Sequence, residues 1–414
     1  MLPATSGLLA QRYTCLAVFL FFAISLVAPS GYSVGSALLF LGGLSVLARP
    51  GQWPRLSRDD QMLLGVFGLF FLGWALEILL DGQSSSRFDK PVRILCAMIA
   101  LLWLLRHPAK PACFWGGIAA GAVGAGAWAA WQKLAMGVPE IQTYTLVIQF
   151  GNIAMLFGML CLAGVGWAWF VRRSGAWAAV LMLGFLFGVL GSLFSGSRGG
   201  WIGAPVVLLL VLFAYREQLP RYVLGGFVLA VGAAVAVLTL VPSTGIQARV
   251  EQAVSDVQRY VDEGEVGTSL GARFEMWRAG GLIVRESPLV GMGGQGMQRR
   301  IEALAEQGVV SPTVTHFGHL HNEFVDMSAR RGLLGLALLL ALYLVPLYLF
   351  WLRLRASEMA SRPYALAGAV LCVSYVNYGL SQTFLSHNSG VMVFFFGAVV
   401  CWAMLRESEA QTAR

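Results

Sequence analysis

Residues 332–352 read GLLGLALLLALYLVPLYLFWL, an apolar run that directly follows a polar segment. About 20 such residues are enough to cross the hydrocarbon core of a bilayer as an α-helix, and runs of roughly 15 to 25 residues recur from end to end. Hydrophobic residues make up 57% of the chain and charged residues 12%, far outside the range of soluble domains. A membrane β-barrel would instead alternate apolar and polar residues. The sequence therefore predicts an all-α polytopic membrane protein.

We predict about 12 transmembrane helices from these runs, with a tight hairpin between the first two at Pro29-Ser30-Gly31. The predicted spans are 13–29, 33–48, 61–80, 92–105, 112–134, 145–171, 176–194, 201–215, 222–241, 332–352, 364–384 and 390–405.

Lysine and arginine concentrate in alternate connections between these spans, including Arg49, Arg106, Arg172, Arg216 and Arg353. Cytoplasmic connections carry this excess. Both termini are therefore expected in the cytoplasm of a bacterial inner membrane, with the long polar segment in the periplasm. The net charge of +8 is explained by this placement, so we expect membrane lipids and no nucleic acid as partners.

The chain divides by this topology into three regions: transmembrane helices 1–9 in 1–241, a periplasmic loop in 242–331, and transmembrane helices 10–12 with a cytoplasmic tail in 332–414. Within the loop, apolar residues at helical spacing predict an amphipathic helix over 246–261. Further helices are expected over 269–285 and 297–307, and one beginning near His321 should continue into the tenth span.

The six cysteines all lie in apolar runs, and none lies in the long polar segment. They form no disulfide framework and no Cys-x-x-Cys metal motif, so they are best interpreted as small buried residues.

Polar residues gather near the predicted periplasmic ends of the spans. Ionisable groups at membrane depth usually mark a functional cavity, although each one alone is also explained by a side chain that reaches the interface. Together they predict a water-filled cavity open to the periplasm and roofed by the loop. They are Glu77, Arg87, Lys90, Arg93, Gln149, Asn152, Arg198, Asn377, Gln382 and His387.

The segment 315–326, THFGHLHNEFVD, holds three of the five histidines and two carboxylates. His316, His319 and His321 offer the ligand type that zinc prefers, but their spacing matches no well-defined zinc motif. The acid/base interpretation is stronger, because a neutral imidazole at a helix start can accept a hydroxyl proton near neutral pH. His321 is the candidate base. His319, Asn322, Glu323 and Asp326 are the candidate supports.

Two arginines are candidate anion ligands. Arg198 stands in Ser195-Gly196-Ser197-Arg198-Gly199-Gly200, where glycines permit close approach of a ligand and a guanidinium suits phosphate oxygens. A tight turn with an interfacial arginine is the alternative. Arg273 lies on the second loop helix, where a salt bridge to Glu275 or Glu286 on a solvated face is the competing explanation.

Residues 291–296, GMGGQG, match the G-x-G-x-x-G dinucleotide pattern literally. No predicted strand precedes them and no βαβ unit surrounds them, so the pattern indicates a sharply turned loop rather than a nucleotide site.

These features combine into one chemistry. The periplasm offers no ATP, so a group donor there must carry its own leaving group. A lipid-anchored pyrophosphate fits, because the arginines would stabilise its charge while His321 activates an acceptor hydroxyl.

In order, the motifs Ser-Gly-Ser-Arg-Gly-Gly, Gly-x-Arg273-x-x-x-Trp with Pro288-Leu-Val-Gly-Met-Gly, and His321-Asn-Glu-Phe before Gly332-Leu-Leu-Gly resemble the O-antigen ligase family. The resemblance implies a GT-C-like glycosyltransferase that moves a polysaccharide from undecaprenyl pyrophosphate to a lipid A–core sugar, inverting the anomeric configuration and using no metal or other cofactor. By the same resemblance His321 is the base and Arg198 and Arg273 bind the pyrophosphate. We add Arg93 to the pyrophosphate ligands.

Related O-antigen polymerases and bacterial protein O-oligosaccharyltransferases share these motifs and remain alternatives. The chain has no long C-terminal extension, which favours a ligase over a protein transferase. A transporter or flippase would show broken helices or repeat symmetry near the midplane, and the sequence shows neither.

Overall fold

The structure is a computed structural model that describes residues 4–197, 199–220, 225, 246–356 and 358–413. Regular structure in these residues is helical throughout, without a strand, which confirms the predicted all-α class. The helices are α1 Ala4–Ala23, α2 Gly31–Leu47, α3 Arg58–Leu80, α4 Asp89–Arg106, α5 Pro111–Ala130, α6 Val147–Gly166, α7 Gly175–Ser195, α8 Gly199–Tyr215, α9 Ile246–Glu263, α10 Ser269–Glu286, α11 Gly293–Glu306, α12 Glu323–Ala356, α13 Arg362–Gly379 and α14 Asn388–Thr412.

Six helices of the described chain are long and apolar enough to cross a membrane, namely α3, α5, α6, α7, α12 and α14. α5 and α6 reach this length through π-helical turns at Trp131–Ala135 and Trp167–Val171. Three shorter apolar helices accompany them, in α1, α2 and α8. This set of apolar helices is that of a multi-pass membrane protein. The predicted ninth span, 222–241, lies almost wholly outside the described residues.

The chain forms two compact units. The first comprises Met1–Leu76, Ser84–Ala214 and Leu338–Arg414, and the second comprises Glu77–Gln83 and Tyr215–Ala337. Because the division falls within α3 and within α12, the second unit takes the end of α3 and the beginning of α12.

The core of the first unit is built around α6 and α14, whose most apolar windows are 83% and 94% buried. α3 is only 28% buried in its window, and Leu69, Leu72 and Leu76 are exposed along it. Spacings of three and four residues put these leucines on one face of the helix. A helix that exposes a leucine stripe is suited to face lipid.

The predicted hairpin is confirmed, since residues 24–30 join α1 to α2, with Ser30 at φ +49° and Gly31 as the first residue of α2. The predicted bounds of the first span were wrong. α1 begins at Ala4 and ends at Ala23, whereas the hydropathy pattern gave 13–29. Hydropathy marks apolar length, but α1 begins in a polar stretch and its last turn ends before the apolar run does.

The second unit packs α10, α11, a short 3-10 turn at Pro312–His316 and the start of α12 around one apolar cluster. The cluster contains Ala272, Met276, Ala279, Ile283, Met297, Ile301, Leu304, Val310, Val314, Leu320 and Ala329. The predicted amphipathic helix is confirmed as α9, and its valines Val254, Val257 and Val261 are exposed.

One helix start in this unit differs from the prediction, and another helix contains a break that was not predicted. α11 begins at Gly293 rather than at 297, and the Asp81 carboxylate accepts the N–H of Gln295 in its first turn (2.8 Å). α12 begins at Glu323, as expected near His321, and continues into the tenth predicted span. At Gly332 its backbone is non-helical, with φ 64° and ψ −164°. Such a break depends on tertiary contacts that hydropathy does not report.

Candidate active site

His321 lies in the short connection between the 3-10 turn and α12, two residues before the helix begins. Its φ of +49° is in the left-handed region, which histidine enters more often than most side chains but which remains uncommon. The His319 ring lies 4.3 Å from the His321 ring between centroids, and Phe317 meets His321 edge-on at 5.5 Å. The structure thus brings two of the three predicted histidines together.

The backbone beside His321 is fixed from both sides through Leu320. The Leu320 N–H donates to Asp326 Oδ1 (3.0 Å), and its carbonyl accepts from Trp277 Nε1 (3.0 Å). Leu320 itself is 2% exposed and belongs to the apolar cluster. A peptide with both polar groups bonded and its side chain buried has little freedom, so the position of His321 is set by α10 and α12 together.

Arg330 extends this arrangement one turn further along α12. Its guanidinium donates to the Gly318 carbonyl (2.7 Å) and pairs with Asp326 (2.8 Å). Asn322 caps the helix, because its Oδ1 accepts the N–H groups of Phe324 (3.0 Å) and Val325 (3.1 Å). Asp326 and Asn322 therefore support the loop through its backbone. Glu323, also predicted as a support, is 1% exposed.

Arg273 lies half-buried on α10, one helical turn before Trp277. Residues four apart share a helix face, so the helix face that bonds the His321 loop also carries this guanidinium. The carboxylates proposed as salt-bridge partners have other contacts. Glu275 accepts from Tyr260 (2.8 Å), from the Ser311 N–H (3.0 Å) and from Arg278 (3.3 Å).

Glu286, the other proposed partner, pairs with Arg300 at 2.6 Å. The hydrogen bond from Arg300 lowers the pKa of the Glu286 carboxyl. For Tyr260, burial first and then its hydrogen bond to Glu275 raise the pKa of the phenol. These contacts join α9 and α11 to α10, the helix that carries Arg273.

The glycine-rich segment after Pro288 packs against the break in α12. Leu333 and Leu334 donate their N–H groups to the carbonyls of Pro288 (2.7 Å) and Leu289 (3.2 Å). A Cβ on Gly332 would lie 2.2 Å from the Leu289 carbonyl, at a φ that only glycine adopts without strain. Gly291, the first glycine of the G-x-G-x-x-G pattern, has a similar packing role, because a Cβ there would lie 2.4 Å from the Arg330 backbone at φ +69°, in line with the turned loop predicted from sequence.

Three charged residues, namely Glu77, Asp81 and Arg331, make contacts beside the glycine-rich segment, most of which the sequence analysis missed. Arg331 Nε contacts Glu77 Oε2 at 2.5 Å, and both side chains are about nine-tenths buried (11% and 6% exposed). Asp81 bonds the start of α11 as described above. The signal available in the sequence was the arginine pair at residues 330 and 331, immediately before an apolar span, with Asp326 four residues before Arg330.

The remaining predicted ligands belong to the first unit or lie outside the description. Arg198 is outside the described residues. Its neighbours are tightly built: Ser197 Oγ donates to Asn152 Oδ1 (3.1 Å), and Asn377 Nδ2 donates to the Gly199 carbonyl (2.7 Å). Arg93 forms a salt bridge with Asp89 on α4 at 2.7 Å.

The zinc alternative finds no geometric support where the chain is described. Over those residues, no group of three or more His, Cys, Asp or Glu side chains is placed to hold a metal ion.

Comparison with known proteins points to one family. The family model described as O-antigen ligase matches residues 183–340, a range that contains Arg198, Arg273 and His321. An uncharacterized protein of Haemophilus influenzae is 29% identical over 387 residues, 94% of this chain and 96% of that protein. An O-antigen ligase of Escherichia coli is 26% identical over 198 residues, 47% of this chain and 44% of that protein. The resemblance inferred from the motifs is confirmed.

Proposed function

We propose that this chain, which resembles the O-antigen ligase family, is itself an O-antigen ligase. It would transfer a polysaccharide from undecaprenyl pyrophosphate to a sugar hydroxyl of lipid A–core. The observation that best supports this is the loop of His321, bonded through Leu320 to the helix that carries Arg273. An activating base and an anion ligand on directly connected elements suit a transfer with a pyrophosphate leaving group.

In the proposed reaction, the acceptor hydroxyl attacks the anomeric carbon of the donor sugar. His321 takes the hydroxyl proton as the new C–O bond forms. The bond from the anomeric carbon to the pyrophosphate oxygen breaks, and its electron pair leaves with undecaprenyl pyrophosphate. Arg198, Arg273 and Arg93 would stabilise the charge on that leaving group. Direct displacement inverts the anomeric configuration, and the scheme draws on no cofactor.

We assign supporting roles to His319, Asn322, Glu323 and Asp326. Asp326 and Asn322 would act by holding the backbone on either side of His321, since both bond main-chain N–H groups there. His319 would act through its ring, which lies against the His321 ring. These four are positioning residues in the scheme, while His321 alone handles the proton.

The proposal includes a topology. About 12 transmembrane helices in a GT-C-like arrangement would cross a bacterial inner membrane, with a helical periplasmic loop between the ninth and tenth and both termini in the cytoplasm. The described apolar helices support it, as does the segregation of lysine and arginine. The active site would face the periplasm, where the lipid-linked donor and lipid A–core meet.

One reconstitution tests the proposal. Purified protein in nanodiscs is incubated with lipid-linked polysaccharide and either lipid A–core or a second lipid-linked repeat as acceptor. We expect the product to be polysaccharide on lipid A–core, with none formed by the His321→Ala variant. Elongated lipid-linked polysaccharide instead would identify a polymerase. Absence of transfer to either acceptor, by protein shown to be folded and to bind donor, would contradict the assignment.

A further inference from the structure

A polar cavity lies within the first unit, and none of its lining residues takes part in the proposed transfer. Its volume is about 290 Å³, close to the lower end of the roughly 300 to 1,000 Å³ typical of small-molecule sites. Its lining is mostly polar and includes Tyr32, Lys90, Thr145, Leu146, Gln149, Ser386, His387, Asn388 and Ser389. The sequence analysis marked Lys90, Gln149 and His387 as polar residues near span ends, and the structure brings these three to one cavity.

Four helices begin at this cavity. Tyr32 is the second residue of α2, Lys90 the second of α4, Gln149 the third of α6 and Asn388 the first of α14. The N–H groups of a first helical turn have no acceptor within the helix and carry the positive end of its dipole. At α14 the N-cap residue, His387, makes no side-chain cap hydrogen bond. The lining therefore includes the positive dipole ends of four helices, which favour an anion.

Gln149 gives the independent sign of a ligand. The residue is 0% exposed, and among the described residues neither atom of its amide has a hydrogen-bond partner. A buried amide without partners costs about 1 to 3 kcal/mol in mutational data, so such groups are normally satisfied. Because the Gln149 amide lines the cavity and has unused donor and acceptor atoms, it is suited to form hydrogen bonds with a molecule inside it.

The charges around the cavity select an anion. Lys90 is the cation of the lining, and the lining contains no carboxylate in the part of the chain described. The adjacent carboxylate, Asp89, is paired with Arg93 at 2.7 Å. Hydroxyl donors come from Tyr32 and Ser389, while the hydroxyls of Thr145 and Ser386 donate to the carbonyls of Leu146 (3.3 Å) and Thr383 (2.6 Å). Ammonium, hydroxyl and main-chain N–H donors around one space match the oxygens of a phosphate group.

The cavity wall is also firmly built. A Cβ on Gly390 would lie 1.9 Å from the Phe384 carbonyl, so the turn Phe384–Ser386 lies directly on the start of α14. Tyr375, on α13, donates to the Gly390 carbonyl at 2.8 Å and so secures the first turn of α14. A preformed wall places the hydroxyls and N–H groups without a folding step on binding.

We propose that this cavity binds a phosphate group, either free or carried on a sugar, through Lys90, Gln149 and the first turn of α14. The inference does not rest on the proposed transferase activity. A free phosphate would fill part of the cavity, and a sugar phosphate would also use its hydroxyl-rich wall.

The test is calorimetry on the full-length protein in nanodiscs with glucose 6-phosphate, inorganic phosphate and glucose. We expect glucose 6-phosphate or inorganic phosphate to bind, and Lys90→Gln to weaken that binding at least tenfold. Lys133→Gln is the matched control, because Lys133 bonds the Pro139 carbonyl and does not line the cavity. Tighter binding of glucose 6-phosphate would identify a sugar phosphate as the ligand, and equal binding would identify free phosphate. Either result supports the site.

Gln149→Leu keeps the test decisive if the lysine variant does not fold. Removing an unsatisfied amide should raise the Tm of the ligand-free protein and remove the Tm increase that glucose 6-phosphate produces. Three results would overturn the proposal: no binding of either phosphate probe, glucose binding as tightly as glucose 6-phosphate, or unchanged binding in both variants.

Discussion

At the scale of single residues, the proposed chemistry depends on one imidazole and on the contacts that hold it. His321 has an uncommon backbone conformation next to a peptide that is bonded at both its N–H and its carbonyl. Uncommon conformations persist where the surrounding structure over-determines them. Mutating His321 therefore tests the side chain, and mutating the residues that hold its backbone tests the position of that side chain.

Replacing His321 by alanine should abolish transfer while leaving insertion and donor binding intact. Loss of a general base costs about 10²- to 10⁴-fold in rate. The measurement is kcat with lipid-linked polysaccharide and lipid A–core, together with donor affinity. His316→Ala is the control, since His316 lies on the 3-10 turn outside the bonded loop. Full O-antigen display by cells carrying only His321→Ala would disprove the base assignment.

Asp326 should act through position rather than chemistry. Asp326→Asn keeps an oxygen for the Leu320 N–H but weakens the pair with Arg330, so we expect a lower kcat with little change in KM. Asp326→Leu loses both contacts and should also lower stability, by about 3 to 5 kcal/mol for a broken buried pair. Measuring kcat, KM and Tm for both variants tests whether the Leu variant is more damaging than the Asn variant. Equal activity of Asn and Leu variants would remove the positioning role.

Arg273→Lys should raise the KM for the donor about tenfold, the equivalent of about 1.4 kcal/mol, because a point charge does not replace a planar donor fork. The same substitution at Arg278 is the control, since that side chain is 55% exposed and contacts Glu275 on the same helix. Arg198→Lys should be damaging for the same reason as Arg273→Lys. Unchanged donor kinetics in either variant would reduce that arginine to a structural anchor.

At the scale of elements, the break in α12 explains why the motif that begins at Gly332 stands close to the candidate site. Gly332 takes a conformation with φ 64° and ψ −164° and leaves no room for a Cβ beside the Leu289 carbonyl. The break lets the polar first turns of α12 and the apolar remainder follow different directions. The motif Gly332-Leu-Leu-Gly is thereby explained as a packing requirement.

Gly332→Ala should lower the yield of folded protein sharply, because it combines backbone strain of about 1 to 3 kcal/mol with a steric overlap. Gly281→Ala is the matched control. In the described part of the chain, a Cβ there would meet no atom within 4 Å, and alanine is favoured over glycine in a helix by about 1 kcal/mol. Thermal unfolding in detergent measures both. Equal Tm values would show that the break tolerates a side chain.

The elements of the second unit were predictable in kind but not in their ends. Apolar spacing gave α9 and α10 within a few residues. The start of α11 was missed because the bond from its Gln295 N–H goes to Asp81, far away in the chain. Likewise, the supports that Trp277 and Arg330 give to the His321 loop are tertiary contacts. Local sequence marked His321 as the candidate proton acceptor and Asn322 and Asp326 as supports, but carried no sign of the contacts from Trp277 and Arg330.

At the scale of the whole molecule, composition settled the class because long apolar runs leave few alternatives to membrane helices. Their pairing was not readable, since apolar runs resemble each other and packing is decided by small residues. Gly188 shows this: its Cβ would lie 2.6 Å from the Gly158 Cα, which sets how closely α6 and α7 approach. The cavity at Gln149 was likewise not predictable as a site, because it forms only where the starts of four helices meet.

The proposed topology predicts which surfaces a water-soluble reagent reaches. In a variant with the native cysteines replaced, Gln307→Cys should react with a membrane-impermeant maleimide in intact spheroplasts. Gln411→Cys should react only after lysis. Both glutamines are exposed, so reactivity reports the side of the membrane rather than burial. Labelling of Gln411→Cys in intact spheroplasts would reverse the assigned orientation.

The break at Gly332 also sets an order for assembly in the cell. The N–H groups of Leu333 and Leu334 find their acceptors in Pro288 and Leu289, more than forty residues earlier in the chain. In lipid, an N–H without an acceptor is costly. In the proposed topology, these bonds can form during synthesis of α12 only once the preceding segment has been exported and has folded. In the proposed topology, completion of this helix is therefore coupled to translocation of the segment before it.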